Sequence, residues 1–272
     1  MPTRIAFDNN VIDAMLLEEN QARMQPILAC VAAGLIEFYA TQQLITESLR
    51  IIESPKRAWR LQDFGGVIGH LTDGRHLRTA EAVMMTELLG NADPVGPPED
   101  RRLLRGLLGN IATGSPNLDN VRAITQDARA KQETATTRWK ELQGSFRIHV
   151  KGLSPEDKKK ILNVTFDEVQ RRNWELWGRN FIERFAGDYS VPEPARVAGQ
   201  VMLYPERFPY VRRYLRVFAL LQWWWRGQNR RVHEGDHNDA LQLFGIPAVD
   251  HFVTGTTRYQ PGPRFSGIPP GV

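Results

Sequence analysis

Strand-forming sequence is confined to the two ends of this 272-residue chain. "RIAFD" at 4–8, "LIEFYAT" at 35–41 and "VDHFVTG" at 249–255 have the β-branched and aromatic content of strands. Each lies beside a stretch whose apolar residues recur at helical spacing: "NNVIDAMLLEEN", "TQQLITESLRIIE" and "DHNDALQLFG". Strands alternating with helices imply a mostly parallel sheet covered by helices, here built from both ends of the chain.

The middle differs. From about Arg75 to Gly199 there is almost no strand signal but there are several helical stretches. One begins at Ser154-Pro155-Glu156-Asp157, where Ser154 suits an N-cap, proline takes the first helical position and acids fill the first turn. The expected organisation is an α/β core in two parts, 1–74 and 200–258, interrupted by a helical insertion at 75–199. The tail at 259–272 is too rich in proline and glycine for regular structure.

A hydrophobic content of 42% is enough to bury a sizeable core, and the net charge of +4 decides little unless it is clustered. The single cysteine, Cys30, sits in the apolar run "PILACVAAG"; it has no disulfide partner and reads as a core thiol in a reducing compartment. The N-terminus lacks a signal-peptide apolar region, and "VFALLQWWW" is far shorter than the roughly 20 residues of a membrane span. A cytoplasmic protein is expected.

His233-Glu234-Gly235-Asp236-His237 matches the H-E-x-x-H pattern of zinc proteases. That chemistry needs both histidines one turn apart inside a helix. Gly235 disfavours a helix interior, and Asp236, followed by a helical run, is better placed as an N-cap. The helix is expected to start at Asp236, with His233 outside it.

The acids carry more. Asp8 ends the first strand, at the carboxyl edge where open parallel sheets place their sites. Glu47 stands near the border of the apolar face of "LITESLR", and Asp236 and Asp239 occupy the start of the late helix. Each also has a plain reading as a cap, a turn acid or a solvated face.

Taken together, "IAFDNNVID", "LITESLR" and "GDHNDALQLFGIPAVDHFVTG" resemble the PIN-like domain family, the fold of many metal-dependent ribonucleases. The resemblance implies a three-layer α/β/α architecture with a mostly parallel central sheet, here carrying a large helical insertion. It further implies a divalent-metal-dependent endoribonuclease in which Asp8, Glu47 and Asp239 hold Mg²⁺ or Mn²⁺, with Asp236 as an auxiliary fourth carboxylate. Hard divalent ions prefer such oxygen ligands.

Two departures stand out. The family's "FVT" strand commonly runs into a further aspartate, whereas Phe252-Val253-Thr254 continues as Gly255-Thr256-Thr257. The insertion also separates Glu47 from Asp239 by more chain than compact PIN domains have. The alternative is therefore a catalytically weakened relative that binds RNA or a protein. By family, a protein inhibitor or antitoxin is a conceivable partner, and a homodimer stays open.

Substrate contacts are expected in "PYVRRYLRVFALLQWWWRGQNRR", which has six arginines and no acid. Arg212, Arg213, Arg216, Arg226 and Arg230 can pair with phosphates, while aromatic rings can stack on bases. Three consecutive tryptophans cannot all face one way on a helix, so some must be core. Thr254 can bond a phosphate or a metal-bound water, or simply pack. Asn9 and Asn10 can orient Asp8 or serve only as turn residues.

Overall fold

In a computed structural model of the chain, the three β-branched and aromatic runs form the strands β1 (Thr3–Phe7), β2 (Ile36–Tyr39) and β3 (His251–Val253). The structure describes residues 1–53, 60–91, 93–114, 117–227, 231–233, 236–245 and 248–253; at Glu18, Glu19, Gln21, Ile52, Glu53, Leu118, Arg226, Gly227, His237, Asn238, Asp239 and Leu243 it describes the backbone alone. The strands pair in parallel in the order β2-β1-β3, with Ile5 opposite both Phe38 and His251. Asp250 secures the edge strand: its side chain accepts the Arg4 N–H at 2.7 Å, and its own N–H donates to the Arg4 carbonyl at 2.8 Å.

The expected three-layer PIN-like α/β/α architecture does not form. Among the described residues the sheet has three short strands, and most of the chain is helical. Strand alternation explains the difference. Ile5, Phe7 and Phe38 point to one face, where they meet α1 (Asn9–Met15), α3 (Gln42–Leu49), α4 (Arg60–Thr72) and α6 (Pro98–Ala112) through Ile12, Leu44, Phe64, Ile68 and Leu108. The opposite face offers Ala6, Tyr39 and Phe252, and it is covered by Leu77, Val95, Ala248 and Val249 from connecting segments. One face has a helical layer, and among the described residues no second one covers the other.

Helix α4 lies close against α6 because of Gly65: a Cβ there would stand 2.5 Å from Ile111 Cγ2. Helix α2 (Glu18–Ala32) ends before Gly34, whose φ of +66° suits glycine. Cys30 on α2 is partly buried.

Most remaining apolar residues pack helix on helix. Helices α5 (Ala80–Leu88), α10 (Arg179–Asp188), α11 (Pro194–Leu203), α12 (Pro209–Gly227) and α13 (Asp236–Gly245) share a second core that includes Met84, Ile182, Val201, Val211, Leu215 and Phe244. Helix α7 (Leu118–Lys151) runs 34 residues, about 50 Å at 1.5 Å per residue. Its Trp139 meets Trp225 of α12 with ring centroids 4.6 Å apart.

Of the three consecutive tryptophans, Trp225 is buried and Trp223 and Trp224 are partly so. Helix α8 (Pro155–Leu162) starts as its sequence indicates, with Ser154 Oγ accepting the Asp157 N–H at 3.2 Å. Helix α9 (Phe166–Asn173) runs through a π-helical turn, Trp174–Gly178, into α10. Among the described residues no helix is long and apolar enough to cross a membrane.

Candidate functional site

Asp8 follows directly on β1, at the strand's carboxyl end. Its backbone N–H donates to the Val253 carbonyl at 3.2 Å, so the end of β3 holds it in place. Its carboxylate caps α1, accepting the Val11 N–H at 3.1 Å, and Asn10 Nδ2 lies 3.5 Å from its second oxygen. The plain capping reading of Asp8 is thus realised.

Glu47 reaches the same edge through Asn9. Asn9 Nδ2 donates to Glu47 Oε2 at 2.7 Å, while Asn9 Oδ1 accepts from Ser48 Oγ at 2.7 Å. The hydroxyl orients the amide, because an acceptor facing Ser48 puts the donor toward Glu47. Asn9 therefore positions Glu47, whereas its neighbour Asn10 lies beside Asp8. Thr41 caps α3 by accepting the Leu44 N–H at 3.0 Å, which sets the helix that carries Glu47.

Helix α13 packs against both α3 and α5. It begins at Asp236, which is thus its first helical residue and not the expected N-cap, and His233 lies outside it, which removes the helical histidine pair of a zinc protease. Asp236 is 2% exposed and accepts the His233 N–H at 2.9 Å, so its carboxylate organises the start of α13. Asp239 is on the first turn of α13 with its side chain outside the described ones. Among the described residues no group of three or more histidine, cysteine, aspartate or glutamate side chains converges as a metal site. What those residues show is Glu47 hydrogen-bonded to Asn9, the residue that follows Asp8.

The arginines of α12 do not form one surface. Arg212 and Arg216 line a pocket of about 380 Å³ with Asp167, Gln170 and Trp174; no residue of β1, α1 or α3 reaches it. Arg216 also stands 5.7 Å from the Phe166 ring. Arg213 is half-buried, and that burial lowers its pKa from the ordinary arginine value. The side chain of Arg226, and all of Arg230 and Thr254, lie outside the described residues.

A larger cleft was not legible in the sequence. It holds about 1290 Å³ between α7 on one side and α5, α10 and α12 on the other, and it is bounded by Gln42, Gln43 and Thr46 of α3 and Leu241 of α13. Of its lining, only the aromatic residues of α12 stood out in the sequence.

No known family model matches this sequence, and searches of characterised proteins and of solved structures likewise found no match.

Proposed function

We propose that this chain is a divalent-metal-dependent endoribonuclease whose carboxylates are Asp8, Glu47 and Asp239. The observation that carries the reading is the hydrogen-bonded chain from Ser48 through Asn9 to Glu47, which brings a second acid to the strand end where Asp8 stands. An acid with no role beyond solvation needs no such support.

The donor set fits the hard ions Mg²⁺ and Mn²⁺, which take oxygen ligands from one or two carboxylates and keep several waters. Bound there, such an ion supplies an activated water and offsets charge on the leaving oxygen of a phosphodiester. The chain's own part is placement. Val11 N–H and Asn10 hold Asp8, Asn9 holds Glu47, and α13 carries Asp239 on its first turn. Asp236, buried at the start of α13, accepts the His233 N–H and so fixes the start of the helix that carries Asp239.

The test is cleavage of end-labelled single-stranded RNA by the purified chain with Mn²⁺, Mg²⁺ or EDTA, beside Asp8→Asn and Asp239→Asn variants of unchanged circular dichroism. Metal-dependent cutting lost in both variants is expected. If folded wild type cuts none of several RNAs, or if the variants cut as well as wild type, the proposal fails. RNA binding without cutting then favours a binding module.

A further inference from the structure

The cleft of about 1290 Å³ between α7 and helices α5, α10 and α12 exceeds the roughly 300–1,000 Å³ in which single small ligands are held. We propose that it binds single-stranded RNA and delivers the strand to the carboxylates at the end of β1. The delivery rests on the nuclease reading above; the binding does not.

The walls carry the parts an unpaired strand requires. Phe181 and Tyr214 are stacked with centroids 5.4 Å apart at 16°, giving the cleft an aromatic face. Trp177 also lines it and is 65% exposed, an unusual state for so large an apolar ring. Trp177 belongs to the π-helical turn Trp174–Gly178, a rare geometry that recurs at functional sites.

Arg138 and Arg184 stand exposed in the same lining, with no ion pair to either among the described residues. Trp225 lines the cleft at 5% exposure, and its Nε1 has no hydrogen-bond partner among the described residues. A buried donor of this kind is costly, and the cleft wall carries it just beneath its surface.

Charge decides between strand types. Arg138, Arg184 and Lys131 are offset by Glu81 and Asp188, so the lining lacks the uniform positive field that tracks a duplex backbone. Stacking faces with a few interspersed cations suit exposed bases instead. The cleft comes within one helical turn of the candidate site: Gln43 lines it and lies one turn before Glu47, on the same face of α3.

The experiment is fluorescence anisotropy of labelled oligouridylate and oligoadenylate of about 12 nucleotides, within the span of single-strand binding grooves, titrated with the full chain in EDTA. Trp177→Ala should weaken binding about tenfold, as loss of one stacked base does. Arg138→Gln and Arg184→Gln should each lower the slope of log Kd against log salt by roughly 0.7. Absence of binding to either oligonucleotide, binding unchanged in all three variants, or equal affinity for a duplex overturns the proposal.

Cleavage is scored separately in Mn²⁺. Binding that responds to the substitutions while no RNA is cut keeps the cleft and removes the nuclease. Cutting with KM unchanged in all three variants keeps the nuclease and removes the cleft.

Discussion

Replacing Glu87 with alanine tests how the helical part of the molecule is tied together. Glu87 lies on α5, is 3% exposed, and accepts the backbone N–H groups of Tyr210 at 3.0 Å and Val211 at 2.8 Å. Those groups belong to the first turn of α12, where a helix leaves its N–H groups without intrahelical partners and its dipole favours an anion. One buried side chain thus caps a helix more than a hundred residues away. Truncation removes both acceptors and leaves two N–H groups away from water. Each charge-assisted bond contributes roughly 1.5–3 kcal/mol, and relief from burying a carboxylate offsets part of the loss. The net cost should be about 3 kcal/mol. For a chain of this size each kcal/mol moves Tm by about 2–4 °C, so scanning calorimetry should find a fall of about 6–12 °C. A Tm within about 2 °C of wild type would refute the reasoning, because it would mean that α12 does not depend on this carboxylate.

The same residue gives a pH signature. Burial raises the Glu87 carboxyl above its ordinary value of 4.5, outweighing the two N–H groups that lower it. The folded state then holds the proton more tightly than the unfolded chain, so Glu87's contribution to stability falls as pH rises from about 4.5 through the raised value. Urea midpoints of wild type minus Glu87→Gln should therefore decrease across that window; a difference that grows with pH sinks the assignment. Gly65→Ala should cost about 1–3 kcal/mol by chemical denaturation, since its Cβ would meet Ile111 at 2.5 Å and 3.0 Å; an unchanged midpoint would mean that α4 and α6 separate freely. Ser48→Ala should cost about 1 kcal/mol and also raise the Mn²⁺ concentration for half-maximal cleavage, with Ser48→Thr restoring it. A stability loss without the Mn²⁺ shift would make Ser48 merely structural.

The strands were legible in the sequence because short β-branched and aromatic runs have few other uses: β2 and β3 lie within the stretches expected, and β1 starts one residue before its own. Layering was not. Whether a sheet carries helices on one face or two depends on which distant segments cover Ala6 and Tyr39, and the covering residues Leu77, Val95, Ala248 and Val249 have no periodicity that marks them. Helix starts were legible where local sequence decides them, as at Ser154, which caps α8, and at Asp236, the first residue of α13. The Glu87 contact to α12 was not, because nothing near Glu87 in the chain points to residues 210 and 211.

The candidate site divides along the same line. Asp8 and Glu47 could be singled out because an acid after a strand and an acid at the border of an apolar helix face are local patterns. The link between them passes through Asn9, whose position beside Asp8 suggested that acid as its partner, whereas its side chain reaches Glu47. The arginines of α12 show what composition alone conceals. Arg212 and Arg216 are one turn apart and share a pocket with α9, while Arg213, about 100° further round the helix, is half-buried. Six positive charges without an acid suggested one substrate surface, but helical geometry separates Arg213 from Arg212 and Arg216, and the aromatic face that can stack on bases forms where α10 meets α12, around Phe181 and Tyr214. The groove proposed for RNA accordingly lies where aromatic rings from separate helices converge beside Arg138 and Arg184, rather than where arginines are densest along the chain.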